Sequence, residues 1–558
     1  MQTIRMTERL EKKKTDTKKS IKLAFILFLL IFLPYMYISN MKTLNILIFT
    51  RQVKVVYNTF SVSFEKDIPM EYVDLVKEKL GSIAFNEKRR FEFVEGKSDI
   101  VVSSTPSESS VDVFKKDLIP VGHVYSLLNE IVEKDIQKYN LYILDSQYIG
   151  YVKAQYGVEP KVVTSIEELI TTLKKSDSNI GLVEFKDVSP SLKVLSVDSH
   201  YYLDDNEGSI PIRFYATIDN QDEAFILSVM KKNLSDYGDD WSKENLAKIN
   251  MSGVVAISRG LAYKMDSLKN YDYPAEKLGG FLADADLTHI SNEVSFTDTC
   301  KVYSGMRFCS NTKYFETLTA SGVDIVELTG NHNNDFGSVN NAKSIQMYKD
   351  AGMRYFGGGL NKDDASKILY EEVKGTKIAF LGYNYYDSML KTGAIAWEST
   401  AGANSYTEAK MKADIEEARK NADIVIVDFQ FQECYSYPSS DVVYPICYKP
   451  LSSPDQKGTF RKAIDFGADI VIGTQAHQPQ TYELYGNGVI YYGLGNLYFD
   501  QKYWIGTRQG IVLTHYVYKG KHIQTKLTPI YMDSSLQPEL ATKTESEQLL
   551  KSLKNARN

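Results

Sequence analysis

The 558-residue chain lacks sequence features that several common functional classes require. It contains four cysteines and no Cys-x-x-Cys pair, so nothing supports a zinc ribbon or a thioredoxin-type site. Its formal net charge of −6 at pH 7 argues against nucleic acid as a partner, because that function needs a basic face. The run Gly357–Gly359 lacks the Lys-Ser/Thr of a phosphate-binding loop, and a plain turn is the better interpretation.

The N-terminus joins a basic segment to a long uncharged run. Residues 1–20 are rich in lysine and arginine, and residues 21–40 hold an apolar stretch close to the ~20 residues that span a bilayer. No small-x-small cleavage site follows it, which disfavours the alternative of a cleaved signal peptide, and the first cysteine, Cys300, excludes a lipoprotein. We predict a cytoplasmic tail over 1–20 and a signal anchor in the lipid bilayer over 21–40. The protein would then be a single-pass cell-membrane protein with its bulk extracytoplasmic.

The remaining chain is too long for one core, and its pattern predicts two α/β domains and a polar tail. Over residues 45–245 short apolar runs, such as 53–57, 100–102 and 179–183, alternate with amphipathic helices. The segment 166–174 predicts a helix with Ser165 as N-cap and Glu168 completing a capping box. A second domain would cover residues 250–535, and a polar tail residues 536–558.

The four cysteines lie in the second half of the chain, nine and thirteen residues apart within two pairs. In an oxidising compartment two local disulfides are the simplest pairing, although four cysteines allow three connectivities and free thiols are the alternative. The residues concerned are Cys300, Cys309, Cys434 and Cys447.

In the second domain, strand-like runs end in polar side chains. The runs are SGVVAISRG (252–260), ADADLTHISNEVSF (283–296), ELTGNHNNDFG (327–337), DIVIVDFQFQ (423–432) and GADIVIGTQAH (467–477). Because ligands bind at the carboxyl ends of strands in α/β sheets, the polar groups would converge at one edge. Two simpler interpretations stay open: the 331–335 turn could cap a helix over 338–347, and His477 could be a hydrogen-bonded core histidine.

These segments resemble the CapA-type poly-γ-glutamate capsule biosynthesis proteins, whose fold resembles the calcineurin-like metallophosphoesterases. The similarity covers about residues 250–535, and ELTGNHNNDFG, GADIVIGTQAH and YYGLGNLYFDQ (491–501) carry it. Segments within 45–245 more diffusely resemble periplasmic solute-binding proteins of the phosphate-binding type. The predicted fold is therefore α/β: a signal-anchor helix, an α/β solute-binding-like domain and a calcineurin-like α/β sandwich.

The chain also departs from the family pattern. Gly253 is followed by Val254 where the family commonly has aspartate, and Gln430 and Gln475 stand where it commonly has histidine. These departures argue against a dinuclear metal site, which needs several carboxylate and imidazole ligands. One divalent cation, Mn, Zn or Mg, remains an expectation, with the ligands Glu293, Asn331, His332 and His477.

The resemblance implies a role in building poly-γ-glutamate or another anionic surface polymer, with membrane-embedded synthesis or export proteins as partners. If the protein is an enzyme, the reaction would be metal-assisted hydrolysis or transfer at an amide or phosphate bond. The catalytic candidates are Glu293, His332, Asp335 and His477, and the substrate-binding candidates are Asn292, Asn331, Arg259, Gln430, Gln475 and Asn496. The alternatives are a non-catalytic polymer-binding or assembly subunit, and a solute receptor that uses residues 45–245.

Overall fold

The computed structural model describes residues 59–81, 83, 90–218, 225–234, 241–302, 305–385, 393–430 and 456–557. The predicted tail and anchor over 1–40, the predicted strand at 53–57, and Cys434 and Cys447 lie outside the described residues. Over the described ranges, no helix is both long and apolar enough to cross a membrane.

The strands in chain order are β1 Thr59–Phe64, β2 Arg90–Phe93, β3 Ile100–Ser103, β4 Val111–His123, β5 Glu130–Ile131, β6 Asn140–Ile143, β7 Lys161–Val162, β8 Asn179–Val183, β9 Leu192–Val194, β10 Ser196–Val197, β11 Ile210–Ile218, β12 Leu246–Val255, β13 Leu287–Asn292, β14 Ile325–Glu327, β15 Arg354–Phe356, β16 Gly358–Gly359, β17 Leu369–Val373, β18 Thr376–Asn384, β19 Gly402–Ala403, β20 Ile424–Gln430, β21 Ile470–Gly473, β22 Tyr482–Tyr485, β23 Gly488–Tyr491, β24 Asn496–Tyr498, β25 Gln509–Tyr518, β26 Lys521–Met532 and β27 Pro538–Leu540. The α-helices are α1 Met70–Gly81, α2 Ile149–Tyr156, α3 Ile166–Leu173, α4 Tyr202–Asp205, α5 Phe225–Leu234, α6 Arg259–Leu268, α7 Gly279–Ala283, α8 Glu316–Ala320, α9 Ser338–Asp350, α10 Lys362–Ala365, α11 Glu408–Asn421, α12 Gln456–Asp465, α13 Ile505–Arg508 and α14 Lys543–Asn555.

The chain divides into two compact units. The first holds residues 1–115 and 213–238, and the second holds residues 116–212 and 239–558. The predicted domain of residues 45–245 thus contributes to both units. The chain forms a mixed α/β structure with several sheets, as predicted.

In the first unit, β1 pairs in parallel with β2 and β3, and β11 pairs antiparallel with β3. Helix α1 buries one face through Tyr72, Val76 and Leu80, at the i, i+4 spacing of an amphipathic helix. Tyr72 lies with ring centroids 4.4 Å from Phe114 and 4.6 Å from Phe214. An aromatic cluster therefore fixes α1 on this sheet.

Several elements confirm the sequence pattern. The predicted strands at 100–102 and 179–183 are β3 and β8, and the predicted helix at 166–174 is α3. Ser165 Oγ accepts from the backbone N–H of Glu168 at 3.2 Å, which is the predicted N-cap bond. The returning carboxylate of Glu168 accepts from Thr164 N–H at 2.7 Å, one residue earlier than a capping box would place it.

The larger part of the second unit is a sandwich of two mixed sheets. One has the order β15-β14-β13-β12-β25-β26-β27, and the other has the order β17-β18-β20-β21-β23-β22. Residues of both sheets, among them Ile249, Leu513, Phe380 and Ile426, share one buried core. Helices α6 and α9 pack on the outer face of the first sheet, and α11 and α12 on that of the second.

Residues 116–212 belong to the same unit through a further shared core. Their strands β4, β8, β6 and β7 are neighbours in that order, and β9 also pairs with β4. Ile119 and Leu192 from this segment are buried in one cluster with Leu246 and Tyr516 of the sandwich. Gln524 Nε2 adds a hydrogen bond of 3.0 Å to the carbonyl of Leu192.

Candidate functional site

The predicted polar residues do meet at the carboxyl ends of strands. Strand β12 is parallel to β13, and β18 is parallel to β20, which is parallel to β21. The two sheets come together there, because Asn384 at the end of β18 donates to Thr329 O, after β14, at 2.6 Å. The buried candidates at this edge are Asn292, Glu293, Gln430, Gln475, His477 and Asn496, and the half-buried ones are Arg259, Asn331, His332 and Asp335.

The ELTGNHNNDFG segment forms a turn whose asparagines bind backbone carbonyls. Asn333 Nδ2 donates to Leu328 O at 3.2 Å, and Asn334 Nδ2 donates to the carbonyls of Gly393 and Ala401, both at 2.9 Å. The following helix α9 begins at Ser338 without a side-chain cap. The turn is therefore not the cap of that helix, and it leaves Asn331 and His332 for the site.

A glycine lets this turn approach the neighbouring strand end. A Cβ at Gly330 would lie 2.7 Å from the Cα of Glu293, closer than real Cβ atoms come to backbone. Because the contact is to backbone, no side-chain movement could relieve it. Gly330 thus holds the turn directly against Glu293.

Asp335 orients the imidazole of His332. The Nδ1 of His332 lies 2.7 Å from Oδ2 of Asp335, and the same oxygen accepts from the backbone N–H of Phe308 at 2.7 Å. A proton on Nδ1 leaves the lone pair of the neutral ring on Nε2. The ring of Phe308, 4.3 Å away between centroids, packs against the imidazole.

His477 is the second oriented imidazole. Its Nδ1 lies 2.8 Å from Oδ1 of Asn496, an acceptor, so Nδ1 carries the proton and Nε2 the lone pair. Burial, with the nearby positive charge of Arg259, lowers the pKa of His477 to about 4. The ring is therefore neutral at pH 7. The alternative of a hydrogen-bonded core histidine agrees with its burial but does not account for its position beside His332.

Arg259 closes this side of the site. Its guanidinium pairs with Asp500, with Nε 3.0 Å from Oδ1, and its carbon lies 4.7 Å from the ring centroids of both Phe308 and Phe499. Arg259 has φ 46°, a conformation uncommon outside glycine, at the first residue of α6. The other oxygen of Asp500 accepts from Gly260 N–H at 2.9 Å, so one carboxylate satisfies both the guanidinium and the helix N-terminus.

Several buried side-chain oxygens at this edge have no hydrogen-bond partner within the described part of the chain. They are Oδ1 of Asn292, Oδ1 of Asn331 and Oε1 of Gln475. An unmet buried acceptor costs about 1–3 kcal/mol, so it indicates a ligand, a cation or a donor from elsewhere. Gln430 differs, because its Oε1 accepts from Asn384 Nδ2 at 2.8 Å.

The predicted metal ligands are not drawn together as a set. Among the described residues, the group of three His, Cys, Asp or Glu side chains with ligand atoms within 4.8 Å of one another is the exposed His200, Asp205 and Glu207. Glu293, His332 and His477 do not form such a group. A cation shared by them would require these side chains to move closer.

Comparisons with known proteins bear on this domain. Residues 248–501 match the family model of the bacterial capsule synthesis protein PGA_cap. The capsule biosynthesis protein CapA of Bacillus anthracis is 31% identical over 209 residues, 36% of this chain and 47% of that protein. The PGA biosynthesis protein CapA of Bacillus subtilis (strain 168) is 26% identical over 267 residues, 48% of this chain and 65% of that protein. Residues 248–501 are thus similar to the capsule synthesis protein family.

The similarity to known proteins is weaker outside residues 248–501. An ABC-type phosphate transport receptor from Vibrio cholerae is similar to 31% of this chain and 93% of its own, with 10% identity and a TM-score of 0.24. A likeness at this level supports no function for residues 45–245. The chain also spans less than two thirds of the length of either curated relative.

Residues 248–501 hold a second set of ionisable groups that the motif analysis missed. His289, Glu327 and Asp428 are fully buried between the two sheets, with Nε2 of His289 3.0 Å from Oδ2 of Asp428. Burial and the charge of Asp428 raise the pKa of Glu327 to about 7, and burial raises that of Asp428. A carboxylate inside the apolar run IVIVDFQ is the signal that could have revealed this cluster.

The predicted local disulfide between Cys300 and Cys309 is present, and it closes the loop that carries Phe308. We expect the paired change Cys300→Ser with Cys309→Ser to lower the free energy of unfolding by about 2–3 kcal/mol, through lost loop-closure restraint. The midpoint of thermal unfolding, measured by calorimetry, should fall in the double variant. Treating the double variant with a reductant should then change nothing further. If the reductant does not lower the thermal midpoint of the wild-type protein either, the prediction is contradicted.

Proposed function

We propose that this chain takes part in the biosynthesis of an anionic cell-surface polymer of the poly-γ-glutamate type. The observation that carries the proposal is the His332–Asp335 pair beside the neutral His477, within residues similar to the capsule synthesis protein family. The names of the two CapA relatives support the same polymer class. Their partial coverage leaves the activity of the whole protein a proposal.

A cationic rim beside the site suits an anionic polymer. A shallow depression next to the disulfide is lined by Arg259, Lys301 and Arg307 and by no carboxylate. Lys301 and Arg307 are exposed. Arg307 also donates to the backbone carbonyl of Asp335, which links the rim to the His332 turn. The overall charge of −6 would repel such a polymer, so a local basic surface is needed to hold it.

The chemistry that suits these residues is proton transfer during hydrolysis or transfer at an amide or phosphate bond. The His332 ring, held by Asp335, would take a proton from the attacking group at Nε2. Asp335 would keep the ring in place and stabilise the imidazolium that forms. The neutral His477 would accept a second hydrogen bond at Nε2, and the amide of Asn331 would position the substrate.

In ligand type, the donor set suits one divalent cation, provided that the side chains move closer together, but it does not suit the two-metal centre of a phosphoesterase. Glu293 offers a carboxylate, Asn331 a carbonyl oxygen, and His332 and His477 each offer Nε2. Both imidazoles are held at Nδ1 by an oxygen partner, which is the usual arrangement behind a metal-bound histidine. A single carboxylate and two imidazoles are too few for two cations. When bound, one cation would polarise the oxygen of the bond under attack.

The proposed setting is the outer face of the cell membrane. Residues 21–40 would anchor the chain in the bilayer, and the described units would lie outside the cytoplasm. The membrane-embedded proteins that synthesise or export the polymer would be its partners. The Cys300–Cys309 disulfide supports this setting, because such bonds persist in oxidising compartments.

A non-catalytic polymer-binding or assembly subunit is the second candidate. The observation that favours it is that Gln430 and Gln475, both neutral, follow two of the strands that end at the site. Gln430 is also used structurally, through its bond to Asn384. Such a subunit would keep the cationic rim and use the buried polar groups to hold polymer without cleaving it.

The test uses the purified full chain with poly-γ-glutamate. Binding is followed by calorimetry and chain length by gel filtration, for wild type and for the double variant Lys301→Ala with Arg307→Ala. We expect saturable binding that the double variant weakens by on the order of tenfold or more, at about 1 kcal/mol for each surface cation. Lys519→Ala with Lys521→Ala, two lysines at the β25–β26 turn, is the matched control. No binding by the wild-type chain would overturn the proposal.

Shortening of the polymer would support the enzyme, whereas binding without shortening would support the assembly subunit. Metal content of the same preparations, measured by elemental analysis, tests the cation. Stoichiometric metal in wild type that both His332→Ala and His477→Ala remove would assign the four ligands.

A further inference from the structure

A separate cavity lies within the second unit, where residues 116–212 meet the sandwich. Its volume is about 120 Å³, and its walls come from the segment after β4, from β9, β22 and β26, and from α14. A single water needs a cavity of at least about 10–15 Å³, so this one has room for several waters or for a small organic molecule. The residues of the proposed polymer site do not line it.

Among the described residues, the charged side chains that line the cavity are three lysines, without any carboxylate. Lys526 pairs with Asp204 at 3.0 Å, and Lys554 pairs with Asp177 at 3.2 Å. Lys193 differs from both. Its Nζ donates to the carbonyl of Ser126 at 2.8 Å, and no carboxylate of the described residues lies within 4.0 Å of it.

An ammonium group has three N–H donors, and Lys193 uses one of them on Ser126 O. A desolvated charge without an anionic partner is costly unless something binds it. Burial lowers the pKa of Lys193 to about 8, and the neighbouring Lys554 adds to the effect while Asp177 opposes it. The nearby His123 also has its pKa lowered to about 4, by burial and by the positive charges of Lys174 and Arg557. This part of the unit therefore carries an excess of positive charge.

Much of the rest of the wall is aromatic or aliphatic, and the neutral polar residues in it are Ser126, Asn129, Ser196, Gln524 and Thr525. Tyr125, Tyr201 and Tyr482 line the cavity together with Leu527 and Leu550. The tyrosine hydroxyls are largely used within the protein, since Tyr482 Oη donates to Val124 O at 3.2 Å and Tyr125 Oη accepts from Leu484 N–H at 2.8 Å. Inorganic phosphate has no apolar part to place between these rings. A carboxylate with a hydrocarbon body fits better, because apolar walls with a few polar anchors are typical of small-molecule sites.

We propose that this cavity binds a small carboxylate, with its anionic group on Lys193 and its hydrocarbon part between the tyrosine rings. The ligand would contact Lys193 of β9 and side chains of β26 and α14 at once. It would therefore tie residues 116–212 to the sandwich and raise the midpoint of thermal unfolding as its concentration increases. The site is independent of the proposed polymer function, because the residues that carry the two are different.

The experiment measures binding to the purified full chain by calorimetry and by thermal unfolding. The probes are glutamate, succinate, acetate and inorganic phosphate. We expect saturable binding of at least one carboxylate, and a loss on the order of 30-fold or more in Lys193→Met, since removing one partner of a buried charge pair has effects of that size. Lys175→Met, which changes an exposed lysine of the same segment, should bind as wild type.

A pH series on wild-type protein does not depend on the variant folding. Affinity should fall as pH rises through about 8, because Lys193 then loses its charge. The absence of saturable binding by any carboxylate would overturn the proposal. Carboxylate binding that neither Lys193→Met nor pH changes would also overturn it. Tighter binding of phosphate than of every carboxylate would overturn it as well.

Discussion

Replacing His332 by alanine is expected to reduce processing of the polymer by about 10²–10⁴-fold, the usual contribution of a positioned general base. The expectation follows from the 2.7 Å contact between His332 Nδ1 and Asp335, which fixes the ring with Nε2 as the basic atom. The assay is the rate of chain-length change of poly-γ-glutamate with the full chain. The exposed His200, replaced by alanine, is the matched control, and its rate should equal that of wild type.

The variant Asp335→Asn tests whether His332 must be oriented by Asp335 or need only be present. Asparagine can donate to Nδ1 and so favour the wrong tautomer, which would place the proton on Nε2 and remove the base. The rate should fall nearly as far as in His332→Ala, although the imidazole is still present. Equal rates for wild type and both variants would contradict a catalytic role for the pair. If polymer binding survives in the same samples, the assembly subunit becomes the better account of the domain.

The sequence predicted where most of these polar residues lie, because they stand at strand ends or just after them. Each predicted residue follows a run of apolar residues, and parallel strands must bring such residues to one edge. Asn292, Gln430 and His477 lie there for this reason. The His332–Asp335 pair was also within reach of sequence analysis, because the two residues are three apart in a tight turn.

The parts that the sequence did not reveal depend on long-range contacts. Asp500 pairs with Arg259 across 241 positions, and no local pattern connects them. The division of the chain into two units also depends on residues that are far apart in sequence. Residues 116–212 pack with the sandwich through Leu192 and Tyr516. In the sequence, the cluster of His289, Glu327 and Asp428 shows only as polar residues inside apolar runs. Such a residue does not indicate which other residue it contacts in the fold.

Glu327→Gln is expected to stabilise the protein above pH 7. The carboxyl is fully buried, and burial together with the charge of Asp428 raises its pKa to about 7, from a value of 4.5 in an exposed chain. Between these pH values the folded state keeps a proton that the unfolded state has released. Stability contributed by this group is therefore complete below pH 4.5 and is lost as pH rises through 7.

Glutamine keeps the oxygen that accepts from Thr329 N–H at 2.7 Å, but it cannot ionise. At 1.36 kcal/mol for each pKa unit, the wild-type penalty at pH 8 is about 3 kcal/mol relative to this variant. The difference in thermal midpoint between variant and wild type should thus grow from pH 5 to pH 8. Glu316→Gln, at an exposed position, should show no such trend. A variant that is equally destabilised at both pH values would show that Glu327 is held in the core as a carboxylate that Asp428 and His289 need.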